Sequence, residues 1–214
     1  MLEAVFFDLD GTLCDTVPDI RKALNDALAT FGYPPVSYEQ TAAYVGNGAR
    51  KLVERAAPKG ADLEELFAEF GKYYAASENE LTVRYEGMLE LITRLKAQGV
   101  KLAVITNKPQ IPTEKVIARF YPDLFDFVGG DSGMFSCKPD PSLTRYAALT
   151  LRVAPRNCVF VGDGETDVLT ARNAGMVGLS ALWGYRSRGQ LEAAGARYFA
   201  EDVPAFEKFL GKFL

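Results

Sequence analysis

The chain has 214 residues, 48% hydrophobic and 24% charged, with a net charge of −4 and a pI near 5.1. That balance fits a folded protein with one sizeable core or a core plus a smaller second unit, and it offers no basic surface for nucleic acid. The chain contains no histidine, which excludes Ser-His-Asp and Cys-His catalysis and any histidine metal site.

The three cysteines, Cys14, Cys137 and Cys158, are scattered and form no CxxC pair, which suits a reducing, cytoplasmic setting. No apolar run is long enough to span a bilayer, and no basic-then-apolar leader pattern is found, so no membrane partner is expected.

Taken in order, Ala4-Val5-Phe6-Phe7 reads as a buried strand, continuous rather than alternating, as in a parallel sheet covered on both faces. Asp8 and Asp10 follow, then Gly11. Helical spacing then runs from Val17 to about Phe31, with Pro18 in the first turn. Ser37 is a candidate cap for a helix through Tyr44. The turn Val45-Gly46-Asn47-Gly48-Ala49-Arg50 leads into a helix carrying Leu52, Val53 and Ala56, and Asp62 opens another through about Ser77. Residues 16–82 thus read as helices only.

Beyond Gly87 the pattern alternates. Helices are expected over Met88–Gln98, Ile111–Phe120, Pro141–Leu151, Glu165–Ala174, Arg188–Ala194 and Val203–Phe213. Strands are expected over Lys101–Thr106, Phe127–Gly129, Cys158–Gly162 and Val177–Leu182. The alternation predicts an α/β fold: a doubly wound parallel sheet (residues 1–15 and 83–214) interrupted by an all-helical insert (residues 16–82).

The chemistry gathers at predicted strand ends, where ligands bind in such sheets. Asp8 and Asp10, two residues apart, are expected to point the same way. Like charges held this close call for a metal, a shared proton, or both. Strand two ends in Thr106-Asn107-Lys108-Pro109, where the Thr106 hydroxyl and nearby backbone N–H groups suit phosphate oxygens. Cys137-Lys138-Pro139 fixes a lysine between a cysteine and a proline before a helix. Strand four ends in Gly162-Asp163-Gly164-Glu165-Thr166-Asp167, whose two aspartates return to one side of a starting helix. Each signal has a plainer reading, such as an acidic turn, a solvated lysine or helix N-caps. Together, however, four carboxylates face one lysine, and a hard divalent cation resolves that conflict.

The string Asp8-x-Asp10-Gly11-Thr12-Leu13-x-Asp15-Thr16, followed in order by the Thr106, Lys138 and Asp163/Asp167 segments, resembles the four motifs of the haloacid dehalogenase (HAD) superfamily. The resemblance covers nearly the whole chain. It implies a Rossmann-like core and a helical cap, with Asp8 as nucleophile, Asp10 as general acid/base and Lys138 bridging nucleophile and phosphoryl group. It also implies Mg2+ held by Asp8, Asp10 (through its carbonyl), Asp163 and Asp167. The stretches Gly46–Ala49, Thr106–Pro109, Gly129–Asp131 and Trp183–Ser187 are similar to those of the phosphoglycolate phosphatase branch.

The reaction so implied is hydrolysis of a small phosphorylated metabolite, 2-phosphoglycolate, with Thr106 and Asn107 on the phosphate. The cap residues Asn47 and Arg50 are expected at the substrate, Arg50 reading its carboxylate. A monomer or homodimer is expected. A sugar phosphomutase, or a pyrophosphatase or nucleotidase, shares the same core residues. A phospho-accepting receiver module uses Asp, Thr and Lys too, but its chain is shorter and lacks the insert.

Overall fold

The computed structural model describes residues 1–213. Its centre is β1 (Ala4–Phe7), all four residues of which are fully buried. β1 lies between β4 (Lys101–Pro109) and β6 (Cys158–Gly162) in a six-stranded parallel sheet. The sheet continues outward to β5 (Phe127–Asp131) on one side, and to β7 (Val177–Ala181) and β8 (Phe199–Ala200) on the other.

Strand periodicity divides the core into two layers. Val5, Phe7, Leu102, Val104, Val159 and Val161 join one apolar cluster, and Ala4, Phe6, Ala103, Ile105, Cys158 and Phe160 join another on the opposite face. Burying a phenylalanine such as Phe6 or Phe7 contributes roughly 1.5–3 kcal/mol. α5 (Met88–Ala97) and α10 (Val203–Leu210) supply side chains to the first cluster, and α7 (Ser142–Leu151) and α8 (Glu165–Ala174) to the second. α6 (Gln110–Phe120) also packs on the first face, and α9 (Arg188–Ala193) follows β7. This is the expected doubly wound sheet.

Between β1 and α5, the helices α1 (Val17–Thr30), α2 (Tyr38–Tyr44), α3 (Ala49–Ala56) and α4 (Leu63–Ala76) build a third cluster of their own. It includes Ile20, Leu24, Leu28, Leu52, Val53, Leu66 and Phe70. Their starts follow local chemistry. Ser37 and Gln40 form a reciprocal capping box, and the Asp62 carboxylate accepts from the Glu64 and Glu65 N–H groups. Such caps are typically worth about 1 kcal/mol each.

The chain enters and leaves this unit through a short antiparallel pair, β2 (Cys14–Asp15) and β3 (Val83–Arg84). These two-residue strands, like β8, carry no readable period and are absent from the sequence-based expectation. β4 also runs three residues beyond its expected end. Its register against β5 shifts between Ile105 and Pro109, a bulge-like irregularity that carries Thr106, Asn107 and Lys108.

Candidate active site

The carboxyl ends of β1, β4 and β6 converge, and α3 and α4 lie across from them. Asp8, first after β1, and Asp163, first after β6, are brought together because these strands are neighbours in register. Asp167 joins them from the first turn of α8. One oxygen from each of these three buried carboxylates lies within 4.8 Å of the others.

Each is held differently. Asp8 Oδ1 accepts from the Leu9 N–H at 2.7 Å and from Lys138 Nζ at 2.8 Å, leaving Oδ2 without a hydrogen bond among the described residues. Asp163 accepts from the Thr12 hydroxyl and the Tyr185 N–H. Asp167 accepts from Lys138 Nζ at 2.6 Å and from the Gly164 N–H. The close approach needs glycine at position 11. There φ is +82°, and a Cβ would overlap the Asp163 carboxylate.

Electrostatics follow from burial. Desolvation, with the Asp167 charge added, pushes the Asp8 carboxyl up to about 7 despite Lys138. Desolvation and the neighbouring Asp8 and Asp167 push Asp163 up to about 8. Burial disfavours the Lys138 ammonium, but Asp167 and Asp8 more than offset this and raise it above the ordinary lysine value. One lysine against three buried carboxylates leaves negative charge uncompensated, and an all-oxygen donor set of this kind fits a hard divalent cation.

Asp10 lies apart from this cluster. Its Oδ1 accepts from the Thr16 hydroxyl at 2.6 Å and from Lys108 Nζ at 2.8 Å. Asp8 and Asp10 were expected to point the same way. Both line the same cavity, but each has its own lysine, because the chain turns at Asp10 to bridge Cys14. A metal contact from Asp10 would have to come from its backbone.

Asn107 lines the cavity too, with its carboxamide already committed. Its carboxamide is occupied in bracing the Lys138 backbone, accepting from the N–H at 2.7 Å and donating to the carbonyl at 3.1 Å. It donates as well to the Gly46 carbonyl across the gap to the helical unit. Thr106 lines the cavity as expected.

The two cap residues do not. Asn47 is exposed and accepts from Arg55. The Arg50 guanidinium is half-exposed, pairs with Glu64 and Glu54, and lies over the Phe67 ring. Acidic neighbours on α3 and α4 hold it on the outer surface, so the cavity wall at this turn is formed instead by Gly46, Gly48 and Ala49.

Several contributors are not singled out by sequence. Lys108 is buried beside Asp10 and the Tyr74 ring, and in the sequence it is readable only as part of a strand-to-helix turn. Tyr185 accepts from the Thr16 N–H and donates to Asp15, tying the loop after β7 to the entry of the helical unit. Arg186 donates to the carbonyls of Ala42 and Val45 at the end of α2.

A family model for haloacid dehalogenase-like hydrolases matches residues 5–180. The chain belongs to that family. The phosphoglycolate phosphatase of Pseudomonas putida strain KT2440 is 36% identical over 219 residues, covering 94% of this chain and 77% of that protein. The phosphoglycolate phosphatase of Vibrio parahaemolyticus is 33% identical, covering 94% and 93%. A crystal structure of a predicted phosphoglycolate phosphatase from Haemophilus somnus 129PT superposes with a TM-score of 0.89 at 28% identity, covering 97% of both chains. The expectation of a phosphoric monoester hydrolase agrees with these relatives. Among the described residues, no helix is long and apolar enough to cross a membrane.

Proposed function

We propose that this protein is a Mg2+-dependent phosphatase that hydrolyses 2-phosphoglycolate through an aspartyl-phosphate on Asp8, under a cap formed by residues 16–82. The observation that carries the reading is the Asp8 carboxylate. It is buried, oriented through Oδ1 by Lys138, and free at Oδ2 beside the cavity that holds Thr106 and Asp10.

Asp8 Oδ2 attacks phosphorus in line, and the phosphorus–oxygen ester bond breaks. The Asp10 carboxyl gives its proton to the departing alkoxide. Asp10 then takes a proton from the water that cleaves the aspartyl-phosphate, releasing inorganic phosphate and restoring Asp8. Lys138 and the Thr106 hydroxyl meet the charge on the phosphoryl oxygens. Asp8, Asp163 and Asp167, with the Asp10 carbonyl, would hold Mg2+, which when bound would add positive charge beside those oxygens.

The cap wall favours a small substrate over a sugar phosphate. Ile20, Leu52 and Phe70 on that wall are apolar and Tyr74 is its one polar side chain, so most ring hydroxyls would be buried there without partners.

The test is phosphate release across a panel of monoesters with and without Mg2+, using wild type and Asp8→Asn. Release requiring Mg2+, fastest with 2-phosphoglycolate and abolished by Asp8→Asn, is the expected result. Substantial turnover by a carefully purified Asp8→Asn protein would remove Asp8 as nucleophile.

A further inference from the structure

Lys108 is not required by the reaction just described, yet it is among the most thoroughly buried cations in the molecule. Its side chain is 2% exposed, at the bulge of β4. Its ammonium pairs with Asp10 Oδ1, which also accepts from the Thr16 hydroxyl, and lies over the Tyr74 ring.

Its position relative to the cavity is more informative. Among the described residues, Lys108 is the only lysine or arginine that lines this cavity; Lys138 approaches the carboxylates from outside it. Opposite Lys108 is the start of α3. Its N-cap is Gly48, which offers no side-chain oxygen to the first-turn N–H groups. Of the cap side chains there, Ile20, Leu52 and Phe70 are apolar, and Tyr74 presents its ring to the Lys108 ammonium. An ammonium and uncapped backbone donors thus face one small space on the side of Asp10, where the leaving alcohol departs. The expected cation for that place, Arg50, lies on the outer surface instead.

We infer that Lys108 is the specificity-determining residue, receiving a carboxylate on the carbon next to the ester oxygen of the substrate, with the N-terminus of α3 as the second partner. This rests on the phosphatase reading above. Without a substrate the ammonium pairs with Asp10. A carboxylate tail shares the ammonium, and the three donors of a lysine allow both contacts. A tail anion entering without that cation would meet Asp10, Asp8 and their negative neighbours unscreened. A neutral tail has no use for Lys108 beyond its bond to Asp10.

The comparison is kcat/KM for 2-phosphoglycolate against ethyl phosphate, two alkyl esters that differ by a carboxylate in place of a methyl group. Whatever Lys108 does for Asp10 is common to both and cancels in the ratio. Wild type is expected to prefer 2-phosphoglycolate. Lys108→Met should cut that preference on the order of 100-fold, as for loss of a desolvated charge pair. Lys108→Arg, which keeps the cation, should retain most of it. Lys108→Gln, which can still hydrogen-bond Asp10, is measured in parallel and gives the same reading if the Met variant does not fold. A preference that moves by less than threefold in a folded uncharged variant overturns the assignment of Lys108. If wild type itself shows no preference, the substrate reading falls, and this inference falls with it.

Discussion

Lys138→Met tests the electrostatic reading of the site independently of turnover. The substitution removes a lysine whose side chain is 3% exposed, with Nζ 2.8 Å from Asp8 and 2.6 Å from Asp167. Methionine fills similar space but leaves three clustered carboxylates with no cation. Breaking a buried ion pair from one side costs about 3–5 kcal/mol. For a chain of this size that corresponds to a fall in Tm of roughly 6–20 °C.

The loss has a direction in pH. Asp8 and Asp163 titrate in the folded protein at about 7 and about 8, above their ordinary value of 3.8. The folded state therefore keeps protons that the unfolded chain has released. The stability this gives is complete below about 4 and is lost as pH rises through 7 and 8. Removing Lys138 raises Asp8 further and deepens the loss at alkaline pH, whereas at pH near 5.5 protons take over the lysine's role. Thermal and urea unfolding in excess chelator, at pH near 5.5 and 8.5, should show a large destabilisation at the higher pH and a much smaller one at the lower. Equal losses at the two pH values, or no loss at pH near 8.5, would refute Lys138 as the counter-charge.

Three further outcomes follow from the geometry. Asp10→Asn should slow alkyl phosphates by roughly a hundred- to ten-thousand-fold and aryl phosphates far less, because only the former need a protonated leaving group; equal losses would leave Asp10 a structural part. Arg50→Ala should change kcat/KM for 2-phosphoglycolate by less than about threefold, since exposed ion pairs such as those with Glu64 and Glu54 are worth little; steady-state kinetics decide this. Alkylation of the native protein with iodoacetamide, mapped by mass spectrometry, should label Cys137 and spare Cys14 and Cys158, which are buried and pushed up to about 12 by desolvation.

The sequence alone determined the doubly wound parallel sheet and the helical character of residues 16–82. Both rest on local period: Ala4–Phe7 and Cys158–Gly162 are continuous apolar runs, and Ile20, Leu24 and Leu28 recur at helical spacing. The sequence also placed Asp8 and Asp163 at strand ends, Thr106 near one, and Asp167 in the first turn of the helix that follows, so these four were legible. Their mutual distances were not, because these depend on which strands are neighbours, and β1 pairs with β4 and β6 from about a hundred residues away or more.

Tertiary structure alone decided how the charges divide. Asp8 and Asp10, two residues apart, go to different lysines because the chain turns between them and the bulge in β4 swings Lys108 inward. It also decided that Arg50 faces outward. On α3 its nearest opposite charges are Glu54 and, across on α4, Glu64. The field that turns a long flexible cation comes from elements that sequence spacing does not bring together.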